Sequence, residues 1–230
     1  MKHKTKHEQR YIITQEEPKS PISEAFRTLR TNIQFSSLKQ QEIRSMMVTS
    51  SGPNEGKSTV SANLAVVFAQ SGKKTLFIDA DLRKPTVHHT FRLNNREGLT
   101  NILTGQRELE QVCKETSIKH LNVLTAGPIP PNPAELISSK AMDMFINEAC
   151  ESYDMILFDT PPLIAVTDAQ ILSSKLDGVV LVLNSGKTNR DMGLKAKGLL
   201  EKVDARILGC VLNNRKLEKN HDYYYYYGKA

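Results

Sequence analysis

The stretch Ser50-Ser-Gly-Pro-Asn-Glu-Gly-Lys-Ser58 decides how the rest of the chain is read. It follows Ile43 to Thr49, a short apolar run of strand length. It precedes Ser58 to Gln70, where Leu64, Val67 and Phe68 give a helix face. Strand, loop and helix in that order let backbone amides of the turn and of the helix N-terminus converge on phosphate oxygens. Gly56 permits close approach, Lys57 offsets charge at the β and γ positions, and Ser58 reaches magnesium. Gly56, Lys57, Ser58 and Thr59 are therefore the expected nucleotide contacts. The motif is a variant, because Ser51 stands where a strict version has Gly or Ala and Gly52 comes one place late. Asn54 suits such a loop, since Asn tolerates left-handed backbone.

Working outward, a second unit places a strand over Lys74 to Asp79, ending in Asp79-Ala-Asp81-Leu-Arg83. Further strands are expected at Leu121 to Thr125, Tyr153 to Asp159, Gly178 to Leu183 and Arg206 to Leu212, with helices between them. Met155-Ile-Leu-Phe158 and Val179-Val-Leu-Val-Leu183 are apolar at successive positions, as in strands covered on both faces. The expected fold is α/β, P-loop NTPase-like and doubly wound, a mainly parallel sheet with helices on both faces. Ligands of such sheets bind beyond the carboxyl ends of the strands, so Asp79, Asp81, Asp159 and the Gly-Lys-Ser loop should meet at one edge. Asp159 is suited to hold magnesium alongside Ser58, directly or through water. Asp79 or Asp81 is then free to orient or deprotonate a nucleophile. Any one of these acids alone would read equally as a turn residue or a helix cap.

The flanks differ from this pattern. Residues 1–20 carry Lys2, Lys4, Lys6 and Arg10, interrupted by His3, His7 and Pro18, and read as a mobile basic arm. Phe26, Leu29 and Ile33 recur near helical spacing behind Ser20 and Ser23, which predicts a helix over residues 21–36 with Glu24, Arg27 and Arg30 on one face. The region from Lys84 to His120 reads as loops over the sheet edge, with a short helix starting near Gly98. Pro128 to Pro133 bends the chain before another helix. After Asn213 the apolar pattern stops. Five of the seven tyrosines form the run Tyr223 to Tyr227, where a core would have spread them. Residues 21–215 thus read as one domain, and residues 216–230 as a flexible tyrosine-rich tail.

With 39% apolar and 24% charged residues among 230, the chain can build an ordinary core. No apolar run approaches the roughly 18 residues of a membrane span, and the polar N-terminus lacks the apolar core of a signal peptide, so a cytoplasmic protein is expected. A net charge of +6 favours anionic partners: phosphates, acidic lipid or nucleic acid. Cys113, Cys150 and Cys210 lack metal-ligand or CxxC spacing and read as buried reduced thiols.

Taken together, the phosphate loop, Phe77-Ile-Asp-Ala-Asp-Leu-Arg83, Ile156-Leu-Phe-Asp-Thr-Pro161 and the terminal tyrosines resemble the cytoplasmic bacterial tyrosine kinases (BY-kinases) of Gram-positive capsule and exopolysaccharide systems. The resemblance covers almost the whole chain. It implies ATP and Mg2+ as cofactors, with Lys57 and Ser58 on phosphate and metal, Asp79 and Asp81 in catalysis and metal binding, and Asp159 supporting the metal. It implies that Asn213 meets adenine, and that Tyr223, Tyr224, Tyr225, Tyr226 and Tyr227 are phosphorylated between subunits. Glu24, Arg27 and Arg30 match the family's Glu-x-x-Arg-x-x-Arg helix motif, which binds a neighbouring subunit in a homo-oligomeric ring. A separate transmembrane activator would recruit the chain to the inner face of the membrane. Other proteins would be phosphorylated on tyrosine, and nucleic acid is not an expected partner. The alternative is a partition-type ATPase switch of the related deviant-loop group, whose signature lysine falls where Gly52 stands.

Overall fold

Alternate residues of each central strand go to opposite cores. Met47, Leu76, Ile78, Ile156, Phe158, Val179 and Leu181 pack on one side. Met46, Val48, Phe77, Leu157, Val180 and Val182 pack on the other. That division is the mark of a sheet covered twice, and it explains the continuous apolar runs. The computed structural model describes residues 11–37 and 42–215.

In chain order the elements are α1 (Ile13–Glu16), α2 (Pro21–Ser37), β1 (Ser45–Ser50), α3 (Lys57–Gln70), β2 (Thr75–Asp79) and α4 (Val87–Phe91). They continue with α5 (Leu99–Leu103), α6 (Leu109–Val112), β3 (Lys114–Glu115), β4 (Leu121–Leu124), α7 (Pro133–Ser138) and α8 (Lys140–Ser152). The last are β5 (Met155–Asp159), α9 (Asp168–Ser173), β6 (Gly178–Asn184), α10 (Arg190–Glu201) and β7 (Ile207–Asn213). The strands form one sheet in the order β3-β4-β2-β5-β1-β6-β7. All neighbours run parallel except β3, which pairs antiparallel with β4. Chain order reverses direction around β1, which creates the crevice into which the phosphate loop opens.

The expected doubly wound α/β fold is present, and each expected strand is found within two residues of its place. Three expectations need correction. Residues 11–20 are not part of an arm: Ile12 and Thr14 are buried, and α1 packs on α3. Residues 84–120 are more than edge loops, because they form α4, α5, α6 and β3 and sink Val87, Leu99, Leu109 and Val112 into the cores. β3 is only Lys-Glu, with no apolar signal, and exists through its pairing to Asn122 and Val123. The cysteines are free but not buried, with Cys113 and Cys150 half-buried and Cys210 exposed on β7. Residues 1–10 of the expected arm and the tail at 216–230 lie outside the described residues.

Helix α3 explains why α1 is fixed. It is buried without a break from Val60 through Ala69, between the sheet and the layer formed by α1 and α2. A helix apolar on every side belongs inside a protein. Its interior Asn63 is satisfied locally: Nδ2 donates to the Thr59 carbonyl at 2.9 Å. Oδ1 accepts from Thr14 N at 3.0 Å and from Thr14 Oγ1 at 2.9 Å. Gln70 Nε2 donates to the Thr14 carbonyl at 3.1 Å, so the middle and the C-terminal end of α3 hold the same short helix. Replacing Asn63 by Ala leaves the buried Thr14 donors without an acceptor. The expected cost is about 1–3 kcal/mol, read as a lower urea midpoint with an unchanged slope.

Candidate active site

Strands β2 and β5 pair so that Asp79 lies directly opposite Asp159. Strand β1 runs on the other side of β5 with Val48 beside Asp159, and two residues later it enters the loop. Both acids therefore stand at the carboxyl edge where the loop turns into α3. The turn itself needs unusual backbone. Asn54 has φ 61° and Gly56, the N-cap of α3, has φ 92°. A Cβ on Gly56 would also lie 2.0 Å from Asn213 Nδ2, so any other residue there would be strained in its backbone and would push Asn213 off the Glu55 carbonyl.

Lys57 begins α3 and reaches back across the edge. Its Nζ lies 3.4 Å from Asp81 Oδ2, 3.6 Å from Asp159 Oδ1 and 3.1 Å from Ser58 Oγ. The structure thus brings Lys57, Ser58, Asp79, Asp81 and Asp159 together, as the motif reading required. Asp79 is fully enclosed: Oδ2 accepts from Thr86 N and Val87 N at 2.9 Å each, and Oδ1 accepts from Asp81 N at 3.2 Å. Asp81 Oδ1 accepts from Lys84 N at 3.0 Å, which leaves Oδ2 toward Lys57. Asp159 Oδ1 also accepts from Ser61 Oγ at 3.1 Å, whereas its buried Oδ2 has no hydrogen-bond partner.

One ammonium faces three carboxylates here, and burial penalises every charge. Burial and the neighbouring Asp159 push the Asp79 carboxyl up to about 7, against the opposing pull of the Val87 and Thr86 amides and of Lys57. Burial likewise raises Asp81, with Lys57 opposing it. The orphaned Asp159 oxygen, the excess of negative charge and the nearby Ser58 hydroxyl form a hard, all-oxygen donor set. Such a set fits magnesium, which takes one or two carboxylates and fills its remaining positions with phosphate and water.

Several neighbours hold the parts of the site in place. Arg83 Nε and Nη2 each donate at 2.9 Å to the two oxygens of buried Asp168 at the start of α9, which fastens the acidic turn to the far side of the edge. Glu55 is buried within the loop and meets Thr188 from beyond β6, a partner 133 residues away. Asn213 ends β7, and its Nδ2 donates to the Glu55 carbonyl at 3.0 Å. A cavity of about 560 Å³ beside the loop is lined by Asn184, Thr188, Leu194 and Leu212 and does not include Lys57 or the acids. Glu24, Arg27 and Arg30 lie apart from this site on α2. Glu24 pairs with Arg27 at 2.7 Å, and Arg30 Nη1 donates to the Val67 carbonyl of α3 at 3.0 Å. Thr59 lies within the first turn of α3, and Tyr223 to Tyr227 lie outside the described residues.

Residues 51–205 match the family described as AAA domain, so the site belongs to a P-loop nucleotide-binding domain. The tyrosine-protein kinase YwqD of Bacillus subtilis (strain 168) is 56% identical over 218 residues, which span 95% of this chain and 92% of that protein. The crystal structure of the chimerical protein CapA2B2 superposes with a TM-score of 0.86 at 45% identity, covering 91% of this chain and 92% of the other. The septum site-determining protein MinD from Pyrococcus horikoshii, complexed with Mg-ADP, is more distant. It has a TM-score of 0.63 and 25% identity over 74% of this chain and 69% of its own. The chain belongs to the bacterial tyrosine-protein kinases, and the partition-type ATPase alternative gives way to that reading. Among the described residues no helix is long and apolar enough to cross a membrane.

The acid cluster has a consequence for stability. A carboxyl raised from its ordinary value near 4 to about 7 binds more protons in the folded than in the unfolded state. Its contribution is therefore complete below the unfolded value and is lost as pH rises through about 7. The nucleotide-free protein should melt at progressively lower temperature from pH 5 toward pH 8. Asp79→Asn should flatten that slope whatever its effect on absolute stability, and an equally steep slope in the variant would assign the effect elsewhere.

Proposed function

We propose that this kinase binds ATP with magnesium at the sheet edge and transfers the γ-phosphate to tyrosines of its own C-terminal cluster, one subunit acting on another. The observation that carries the proposal is the meeting of Lys57, Ser58, Asp81 and Asp159 around an unpartnered buried carboxylate oxygen. Gly56, Lys57, Ser58 and Thr59 cradle the phosphates, and Ser58 and Asp159 hold the metal, with Asp79 completing the acidic wall. A magnesium ion held by these residues would supply charge neutralisation at the phosphates. The adenine lies at the Asn213 end of the loop, toward the neighbouring cavity.

The reaction follows from placement. A tyrosine oxygen attacks the γ-phosphorus, forming one P–O bond as the bond to the β-bridging oxygen breaks, and ADP leaves with that electron pair. Lys57 faces the charge that develops there. A tyrosine hydroxyl has a pKa near 10 and is largely neutral at pH 7, so its proton needs an acceptor. Asp81 supplies one: burial raises its pKa and makes its carboxylate a stronger base, and its Oδ2 faces the phosphate loop beside Lys57. Asp79, held by three backbone amides, fixes the turn that presents Asp81.

The same reading makes Glu24, Arg27 and Arg30 the contact to the next subunit of a ring, and a separate transmembrane activator the link to the inner face of the membrane. Capsule or exopolysaccharide synthesis is the process controlled, and other proteins are further tyrosine substrates. Support comes from the sequence resemblance and from the similarity to kinases and to the CapA2B2 chimera. ATP is supported by the loop and by the Mg-ADP bound to the related MinD.

Incubation with Mg·ATP and an activator segment, followed by phosphopeptide mass spectrometry, tests this directly. Phosphate should appear on Tyr223 to Tyr227 of the intact chain, fall by at least about a hundredfold in Asp81→Asn, and vanish in Lys57→Met. An unmodified tail with accumulation of ADP and free phosphate would overturn the reading.

A further inference from the structure

The phosphate loop is closed from behind by its own glutamate. Glu55 is buried, and its carboxylate takes both donors of Ser51, N to Oε2 at 2.9 Å and Oγ to Oε1 at 2.7 Å. This is the position where the sequence departs from a strict phosphate loop. Ser51 uses its hydroxyl to close a small ring across residues 51–55, which a glycine or alanine there could not do with a side chain.

Two further elements fasten that ring. Thr188, in the loop after β6, donates from Oγ1 to Glu55 Oε1 at 2.5 Å, and the same hydroxyl accepts from Asn184 N at 2.9 Å. Asn184 Nδ2 donates to the Asn54 carbonyl at 3.4 Å, and Asn213 Nδ2 donates to the Glu55 carbonyl at 3.0 Å. Both carbonyls are therefore drawn to one side of the loop. In a trans peptide the N–H points opposite the carbonyl of the preceding residue, and the structure has no cis bond among the described residues. Drawing the carbonyls of residues 54 and 55 backward turns the N–H groups of Glu55 and Gly56 the other way, toward the mouth of the loop.

We propose that Glu55, with Thr188 and Asn184, is a positioning latch: it presets loop amides for phosphate before any nucleotide arrives, and it ties the loop to the β6 and β7 ends. Affinity then comes partly from loop order that binding no longer has to create. Glu55 and Thr188 touch no reacting atom and act through the backbone. The inference rests on nucleotide binding at this loop, as read above, and concerns only how the loop is held.

A double-mutant cycle on the full chain tests it, with ADP affinity measured by titration of a fluorescent analogue. Glu55→Ala should weaken ADP binding about tenfold or more, and Thr188→Val a few-fold. The double variant should resemble Glu55→Ala, because both substitutions open the same latch. Thr188→Ser, which keeps the hydroxyl, should bind like the parent. In autophosphorylation assays the KM for ATP should rise in Thr188→Val while kcat stays within about twofold, a split that general destabilisation would not produce. Glu55→Gln guards against misfolding of the Ala variant; the flanking hydroxyls can rotate to its amide, so it should retain more affinity than Ala. Parent-like ADP affinity in both Glu55→Ala and Thr188→Val would overturn the latch alone, as would effects that simply multiply. A parent chain that binds no nucleotide would overturn the nucleotide reading as well.

Discussion

One ammonium among three carboxylates, in a place water barely reaches, is the constraint around which the rest of the edge is built. At an effective dielectric of about 20, two like charges 4 Å apart repel by roughly 4 kcal/mol, so three acids cannot all ionise there on the strength of Lys57 alone. The protein divides the problem. Asp79 takes backbone amides on both oxygens and a raised pKa, Asp81 takes one amide and the lysine, and Asp159 takes a serine hydroxyl and the lysine. The turn from Ala80 to Val87 adopts its path because its amides answer those carboxylates.

The same constraint reaches outward through α3. A lysine that must meet two acids requires a helix that cannot shift, and α3 is buried on every side and held at Asn63 and Gln70 by α1. On the opposite flank the Arg83–Asp168 fork secures the acidic turn to α9. Removing the arginine would strand a carboxylate that is 1% exposed, the kind of loss that costs several kcal/mol, so this pair contributes order more than net attraction. Phosphate chemistry needs such fixity because most of the catalysis is placement.

Much of this was legible in the residues. The apolar runs at 155–158 and 179–183 disclosed strands covered twice, and Gly56-Lys57-Ser58 with Asp79, Asp81 and Asp159 disclosed the site, because strand ends and loop residues lie next to their own motifs. What stayed hidden depends on pairing across distance. Thr188 sits in an ordinary polar turn and becomes important only where the chain brings it to Glu55, 133 positions earlier. α1 is four residues long, too short for a periodic signal, and its one buried side chain is a threonine. β3 is two charged residues held only by their neighbours. The acids could be placed together from sequence and Asp159 set apart for the metal, but Asp79 could not be told from Asp81, since that division rests on which amides face which oxygen.

The pairing of Asp79 with Asp159 also limits how such a chain can vary. Side chains in a strand alternate between faces, so inserting or deleting one residue within β2 or β5 would carry a carboxylate to the wrong side of the sheet and expel its apolar neighbours from their core. Length changes are therefore confined to the connections, while the two strands must stay in step. Descendants can lengthen connections at the opposite edge of the sheet, such as that between α3 and β2, but not the phosphate loop or the turn from Ala80 to Val87, whose own amides and side chains make the site.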